Sequence, residues 1–317
     1  MAPTRWGFVS AGRISNEFKI ALDTLPQDEH QVKIDFESIN AVYIGSIHTQ
    51  HAPVTTMMLQ AGKPVLCEKP MSVNSREARQ MIGLAKEKNL FFMEAVWSRF
   101  FPVYLKAREI MDAGGIGEVK LVTACFGFPK SDEPRMKERS QAGGSLMDLG
   151  VYPVQFANFV FKGEEPEDIT VSGNLTDGEV DETVSIILKY SGNRMATLVC
   201  CMTSQLANEA YVYGTKGTLK IPSFWSPQER IAPDSTHNPQ ELIAPDGTHK
   251  FPLPPPGKPI NYFNATGMRF EAMEVRRCLQ EGLTESPLMT HAMSLQIAGI
   301  LDQARKVVGV VYDQDKE

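Results

Sequence analysis

The sequence predicts an α/β fold in two parts: an N-terminal Rossmann domain over residues 1–96 and a C-terminal α+β domain over residues 97–317. Two observations favour this division. Before Trp97, short apolar runs alternate with segments of helical periodicity, which is typical of a mainly parallel sheet covered by helices. After Trp97, a series of segments that alternate apolar and polar residues predicts a large, open, mainly antiparallel sheet.

The first part opens with a strand, a glycine turn and a helix. Trp6–Ser10 is a short apolar run that breaks at Ala11 and Gly12, and apolar residues then recur at helical spacing as far as Leu25. Asn74 and Glu77 have the spacing of a capping box, which predicts the start of another helix. The further predicted strands are 41–45, 64–67 and 90–93, and the further helices are 53–61 and 74–88.

The second part has the sequence pattern of an α+β domain. One predicted helix precedes a series of predicted strands, and two predicted helices follow them. The predicted strands are 119–128, 168–175, 183–190, 195–203, 209–213 and 218–221, and the helices are 102–113, 270–281 and 288–308. Gly214–Gly217 predicts a hairpin turn between the last two strands. Because a large apolar face of an open sheet is usually covered, often by a second copy, we expect a homodimer through the C-terminal sheet.

Residues 227–238 and 239–250 are a near-identical tandem pair followed by a proline-rich segment. Both copies are polar and rich in turn-forming residues. They predict a surface loop lengthened by duplication.

Composition narrows the class of protein. The net charge is −6 and the isoelectric point is about 5.6, with no stripe of Lys and Arg, so neither nucleic acid nor an anionic membrane is the expected partner. No apolar run reaches the roughly 20 residues needed to cross a bilayer. The five cysteines are scattered and odd in number, which is typical of free thiols in a reducing compartment. We therefore expect a cytoplasmic protein.

Three segments have the residues for chemistry, and the first is the glycine turn from Gly7 to Ile14. A tight turn between a strand and a helix lets backbone N–H groups approach a pyrophosphate at the helix N-terminus. Ser10 occupies a position where glycine is usual. An ordinary strand-to-helix turn is the alternative.

The second segment is Glu68-Lys69-Pro70, which ends a predicted buried strand. Charges at this point lie at the carboxyl edge of the sheet, where α/β proteins bind ligands. A lysine there can bond a substrate hydroxyl and lower the pKa of a neighbouring acid. The alternative is a surface ion pair.

In the third segment, Gly143 and Gly144 precede a predicted helix that carries Asp148 and Tyr152. The two polar residues are four apart, so they share one helix face. A tyrosine beside a lysine is a candidate general acid/base for a hydroxyl proton during hydride transfer. The alternative is an ordinary hydrogen-bonded pair.

Taken together and in this order, the three segments resemble the glucose-fructose oxidoreductase / inositol dehydrogenase (Gfo/Idh/MocA) family. The resemblance covers nearly the whole chain and is strongest over 41–101 and 140–156. Most members have His where this chain has Tyr152. That tyrosine, Ser10 and the segment 93–102 resemble the subgroup of dimeric dihydrodiol dehydrogenases.

This resemblance implies an NADP-dependent dehydrogenase, with NAD as a possible cofactor, whose substrate is a small diol or sugar. The subgroup oxidises trans-dihydrodiols of arenes to catechols, and aldoses such as D-xylose. By the resemblance, Tyr152 would transfer the proton, Lys69 would assist it and Asp148 would orient the substrate hydroxyls. The implied cofactor contacts are Ser10, Gly12, Arg13, Ile14, Ser46, His48, Glu68 and Lys69.

Trp97, Phe126, Trp225 and Phe263 are candidates for an aromatic substrate wall, with ordinary core or loop-anchoring aromatics as the alternative for each. His48 and His51 form an HxxH pair, but no nearby acid completes a metal site, so no metal is expected.

One region departs from the family. A strand stub at 30–34 is followed almost directly by the strand at Ala41, where family members have roughly thirty more residues of the Rossmann half. The basic residue that would receive the NADP 2′-phosphate has no counterpart, and the first strand is expected to lie nearly at an edge. The alternative function is therefore a catalytically silent dinucleotide-binding or regulatory protein.

Overall fold

The computed structural model describes residues 2–226 and 241–316. By contacts the chain groups into two compact units: the first contains residues up to 100 together with 253–295, and the second contains 101–252 together with the residues from 296. The return of 253–295 to the first unit has no counterpart in the sequence analysis. The functional division at residues 96 and 97 stays a prediction.

The α-helices of the described residues are α1 Arg13–Leu22, α2 His48–Gln60, α3 Ser75–Glu87, α4 Pro102–Asp112, α5 Pro134–Lys137, α6 Val151–Val160, α7 Arg269–Gln280 and α8 His291–Val308. The strands are β1 Thr4–Val9, β2 His30–Val32, β3 Ala41–Ile44, β4 Val65–Glu68, β5 Phe92–Ala95, β6 Val119–Gly127, β7 Asp168–Leu175, β8 Asp181–Tyr190, β9 Arg194–Cys201, β10 Glu209–Gly214, β11 Thr218–Pro222, β12 Glu241–Ala244 and β13 Gly247–Lys250.

The first unit has a parallel sheet in the order β2-β1-β3-β4-β5, as the alternating pattern predicted. An aromatic layer fastens α1 to this sheet: Phe18 stacks on Tyr43 at 4.0 Å between ring centroids, and Trp6 meets Phe18 edge-on at 5.1 Å. All three rings are wholly buried. Their burial explains why α1 forms where the helical spacing placed it.

The expectation that the first strand, Trp6–Ser10, lies nearly at an edge is confirmed, since among the strands that the structure describes only the three-residue edge strand β2 lies outside β1. β2 pairs with Thr4–Trp6, and Trp6 Nε1 donates a hydrogen bond to His30 Nδ1 at 3.2 Å. Beyond Trp6, β1 runs on to Val9 without β2 beside it, because residues 33–40 lead straight to β3. The Rossmann half is therefore shortened after a three-residue second strand.

The largest differences from the predicted helix and strand boundaries in the first unit are at α1, which ends at Leu22 rather than Leu25, at α2 and at β5. α2 begins at His48 rather than Pro53, and β5 begins at Phe92 rather than Leu90. Pro53 lies inside α2, where its missing N–H removes one helical hydrogen bond. Burial of His51, Thr55 and Leu59 against the rest of the unit offsets that loss.

The second unit has a sheet in the order β13-β12-β11-β10-β6-β9-β8-β7. Its neighbours are antiparallel except β6 and β9, which run parallel. α6 packs on β6, β9 and β10, and its whole length is buried. The opposite face carries large apolar side chains that are 37–40% exposed in this chain, namely Ile187 and Met195.

The prediction of a surface loop over the tandem pair 227–250 is wrong for residues 241–250. Residues 241–250 form the hairpin β12–β13, which extends the sheet beside β11, and Leu242 is wholly buried. Asp246-Gly247 at the turn is a strong hairpin signal that the sequence already contained. The first copy of the repeat lies outside the described residues.

Candidate active site

The glycine turn between β1 and α1 is built to receive an anion. Ser10 has a left-handed φ of 83°, the conformation for which glycine is usual at this position. Gly12 is the N-cap of α1 with no side-chain hydrogen bond to the helix amides, and Ser10, Gly12 and Arg13 are exposed. Helix-terminal N–H groups beside an exposed arginine fit a pyrophosphate.

β3 ends close to this turn. A Cβ on Gly45 would lie 2.5 Å from Ser15 Oγ and 2.9 Å from Ile14 Cγ2, so only glycine lets β3 approach the start of α1 this closely. Ser46 and His48, two of the implied cofactor contacts, follow directly at the carboxyl end of β3.

The Glu68-Lys69-Pro70 turn is held by buried side chains around it. Glu68 is 7% exposed; its Oε1 accepts from the Tyr43 hydroxyl at 2.6 Å and its Oε2 from the Lys69 N–H at 3.2 Å. Burial raises the pKa of Glu68. Lys69 therefore stands at the carboxyl edge of the sheet as predicted, whereas the Glu68 carboxyl group bonds inward to Tyr43.

His51 ties this turn to the preceding loop. It is wholly buried, with Nδ1 2.8 Å from the Pro70 carbonyl oxygen and Nε2 3.0 Å from that of Ser46. Burial lowers the pKa of His51. His51, the second histidine of the HxxH pair, thus lies between two loops that carry predicted cofactor contacts.

In the second unit, Asp148 and Tyr152 lie on one continuous helical segment. A π-helical turn over Leu146–Gly150 leads into α6, where an ordinary α-helix was expected. Arg135 forms an ion pair with Asp148 at 2.5 Å, and Tyr152 is 6% exposed. Arg135 was missed because nothing in its spacing links residue 135 to residue 148.

Tyr152 stands against an aromatic cluster. The Phe126 ring meets it edge-on at 5.2 Å between centroids, and Trp225 lies 4.5 Å from Phe126. Phe128 and Phe224, which the sequence analysis missed, also contact Trp225. The structure thus brings together two of the four predicted wall residues. Trp97 and Phe263 belong to the first unit, and their place in the wall stays a prediction.

Within the described ranges, no group of three or more His, Cys, Asp or Glu side chains is arranged to hold a metal ion. None of the helices there is both long and apolar enough to cross a membrane. The five cysteines carry free thiols.

Curated relatives match the chain along its whole length. A trans-1,2-dihydrobenzene-1,2-diol dehydrogenase from Xenopus laevis is 43% identical, covering 98% of this chain and 99% of the relative. The human enzyme of the same name is 39% identical over 98% and 99% of the two chains. The zebrafish enzyme is 40% identical over an alignment of 343 positions; because this chain has 317 residues, at least 26 of those positions are gaps in it.

Solved structures show the same fold at low identity. A 3-ketoreductase from Actinomadura kijaniata, in complex with NADP, has a TM-score of 0.73 at 21% identity, covering 96% of this chain and 97% of its own. A putative myo-inositol dehydrogenase from Sinorhizobium meliloti has a TM-score of 0.75 at 20% identity, with the same coverage.

Family models match both parts of the sequence. The oxidoreductase family model with an NAD-binding Rossmann fold matches residues 9–96, and the GFO/IDH/MocA C-terminal domain model matches residues 104–220. With full-length relatives at about 40% identity, the chain belongs to the Gfo/Idh/MocA family of oxidoreductases.

Proposed function

We propose that this chain is an NADP-dependent dehydrogenase, with NAD as a second cofactor, that oxidises trans-dihydrodiols of arenes to catechols or aldoses such as D-xylose. The observation that carries the proposal is a nearly buried tyrosine, Tyr152, set against the aromatic cluster of Phe126 and Trp225. The dihydrodiol dehydrogenase relatives, about 40% identical to this chain, support the same substrate class.

The nicotinamide, when bound, supplies the acceptor for a hydride that leaves the carbinol carbon. Tyr152 takes the proton of the substrate hydroxyl as that carbon becomes a carbonyl. Lys69 is proposed to assist this proton transfer and to bond the substrate oxygen. Asp148, paired with Arg135, accepts a hydrogen bond from a second substrate hydroxyl and so orients a diol or a sugar.

The proposed cofactor contacts form two groups along the carboxyl edge of the first-unit sheet. Ser10, Gly12, Arg13 and Ile14 form the open turn at the α1 N-terminus, which fits the pyrophosphate. Ser46, His48, Glu68 and Lys69 follow β3 and end β4, on the side proposed for the nicotinamide ribose.

The experiment is a comparison of Tyr152→Phe and Lys69→Met with the unaltered chain, using benzene dihydrodiol and D-xylose with NADP⁺. Loss of the acid/base group lowers kcat by about 10²- to 10⁴-fold. Tyr190→Phe is a matched control, since that tyrosine is also buried but lies at the end of β8. Full activity of either Tyr152→Phe or Lys69→Met would remove that residue from the mechanism.

The ratio of kcat/KM for the two substrates then decides between them. The aromatic cluster beside Tyr152 favours the arene diol, because a flat apolar ring packs on aromatic faces. A kcat/KM for xylose above that for the dihydrodiol would make a sugar the natural substrate class.

A second candidate is a catalytically silent dinucleotide-binding protein. The observation in its favour is the direct connection from β2 to β3, which leaves the adenosine side of the Rossmann half short. Binding of a reduced nicotinamide dinucleotide without turnover of any diol or aldose would support this candidate over the enzyme.

We further propose that two copies pair through the outer face of the second-unit sheet and that the protein works in the cytoplasm. The face spans an eight-stranded sheet and carries the exposed apolar side chains Ile187 and Met195. Covering them with the same face of a second copy would remove them from water.

A further inference from the structure

The turn that begins the Tyr152 helix is held from outside by a buried carboxyl group. Asp181, the first residue of β8, is wholly buried. Its Oδ2 accepts hydrogen bonds from Ser145 Oγ at 2.7 Å and from the Leu146 N–H at 2.6 Å. Leu146 opens the π-helical turn, and its N–H is one of the terminal amides that a helix cannot satisfy internally. Asp181, which lies on β8, therefore caps the N-terminus of this helix although the two are distant in the sequence.

The paired glycines make room for this cap. A Cβ on Gly144, whose φ is +116°, would lie 2.3 Å from Asp181 Oδ1. A Cβ on Gly143 would lie 2.5 Å from the Met136 carbonyl oxygen. Both contacts are shorter than real Cβ atoms show, so any larger residue would push Asp181 or the backbone at Met136 away from the turn.

A second buried side chain reaches the same turn from the C-terminal segment. The hydroxyl of Tyr312, which is wholly buried, donates to the Gly143 carbonyl oxygen. Asp315 Oδ2 accepts from the Tyr312 N–H at 2.9 Å. The Arg305 guanidinium lies 4.6 Å from the centre of the Tyr312 ring and pairs with Asp302 and Asp315, each at 2.7 Å. These contacts hold the Tyr312 side chain in the orientation in which its hydroxyl reaches the glycine turn.

We propose that Asp181 and Tyr312 are positioning residues for Tyr152, acting through the Gly143–Leu146 turn. The inference rests on the proposed role of Tyr152. The helix from Leu146 to Tyr152 is only about 9 Å long at 1.5 Å per residue, so a shift at its start is carried to the Tyr152 hydroxyl. A misplacement of about 1 Å can cost about 10²-fold in rate.

The test compares Tyr312→Phe with Tyr190→Phe. Both tyrosines are wholly buried in the second unit, and in the described part of the chain the Tyr190 hydroxyl has no hydrogen-bond partner. Each variant removes one buried hydroxyl, but only Tyr312→Phe removes a bond to the turn. We expect backbone amides of residues 144–152 to exchange with deuterium about tenfold faster in Tyr312→Phe and unchanged in Tyr190→Phe. Equal exchange in the two variants overturns the proposal.

Kinetics supply the functional half of the test. Tyr312→Phe is expected to lower kcat at least tenfold while the KM for the cofactor stays unchanged, and Tyr190→Phe is expected to keep both. A faster exchange with an unchanged kcat would show that the turn is held but does not position Tyr152. If the unaltered chain has no turnover, the proposed function fails, and the exchange result alone decides whether Tyr312 holds the turn.

Ser145→Ala repeats both measurements from the Asp181 side. It removes one of the two donors to Asp181 Oδ2 and keeps the Leu146 N–H, so it perturbs folding less than a change of Asp181 itself. We expect the same faster exchange over 144–152 and the same loss of kcat. Unchanged values for both quantities would remove the Ser145–Asp181 bond from the positioning role.

Discussion

Asp148 is the proposed substrate-orienting carboxylate, and its charge is balanced by Arg135 at 2.5 Å. The Asp148 side chain is 12% exposed, whereas that of Arg135 is 40% exposed. An arginine that solvent reaches contributes little to folding but can fix the direction of the carboxylate it pairs with.

We therefore expect Arg135→Gln to raise the KM for a diol or sugar by about tenfold or more, since a charge-assisted hydrogen bond contributes about 1.5–3 kcal/mol. The unfolding free energy should change by less than about 1 kcal/mol, as for other exposed ion pairs. Steady-state kinetics and urea unfolding measure the two effects. Lys137→Gln, an exposed cation on the same short helix α5, is the matched control and should leave KM unaltered. An unchanged KM in Arg135→Gln would separate Arg135 from substrate binding.

The functional residues that could be predicted from the sequence were those inside local motifs. Lys69 follows a buried strand, and Tyr152 follows a glycine pair at helical spacing, so their chemistry could be inferred from neighbours in the chain. Arg135 reaches Asp148, and Phe128 and Phe224 reach Trp225, through tertiary packing. No periodicity in the sequence connects them to Tyr152.

Among the elements, β2 is the shortest in the parallel sheet and is held through one buried histidine. His30 Nδ1 accepts from Trp6 Nε1, which requires the neutral ring. Burial, together with the charges of Arg276 and Arg269, lowers the pKa of His30 to about 4. Because this value lies below the pKa of 6.5 in the unfolded chain, the stability it contributes is present above pH 6.5 and is lost as the pH falls towards 4.

We expect the unfolding free energy to fall over this pH range by up to about 3 kcal/mol more in the unaltered chain than in His30→Asn, which does not titrate. Urea unfolding of both proteins above pH 6.5 and near pH 4 measures the difference. If the free energies of unfolding of the two proteins fall equally with pH, protonation of His30 does not destabilise the fold.

Element prediction succeeded where local signals decided the outcome. The cap of α3 is present, since Asn74 Oδ1 accepts from the Glu77 N–H at 3.0 Å. The Gly214–Gly217 turn between β10 and β11 is also present. The parallel pairing of β6 with β9 could not be inferred, because it joins strands about seventy residues apart and depends on how the whole sheet assembles.

For the whole molecule, the shortened Rossmann half is the feature that bears most on cofactor choice. Residues 33–40 carry Lys33 but also the exposed acids Asp35 and Glu37, so the connection offers no net positive charge to a 2′-phosphate. A missing charge-assisted phosphate contact weakens binding by roughly tenfold to hundredfold.

We therefore expect the Kd values for NADPH and NADH to lie within about tenfold of each other. Titrations that follow tryptophan quenching measure both. Arg13→Gln should weaken both dinucleotides together, because Arg13 flanks the pyrophosphate turn that they share. A preference for NADPH above about a hundredfold would mean that another part of the chain binds the 2′-phosphate.

Assembly is the second property of the whole molecule. We expect light scattering at micromolar concentration to give twice the 35.2 kDa mass of one chain. Ile187→Asp should give monomers by placing a charge on the outer sheet face, whereas Leu105→Asp, at a leucine on α4 that is 45% exposed against 37% for Ile187, should not. A monomer mass for the unaltered chain would exclude the homodimer.

The most direct test of the account is the rate of reduced-nicotinamide formation from benzene dihydrodiol and NADP⁺ by the unaltered chain and by Tyr152→Phe. If Tyr152 transfers the proton, the unaltered chain shows measurable turnover and the variant loses about 10²- to 10⁴-fold, with dinucleotide binding retained. Equal rates in the two proteins, or dinucleotide binding with no turnover of dihydrodiol or D-xylose, would contradict this role of Tyr152.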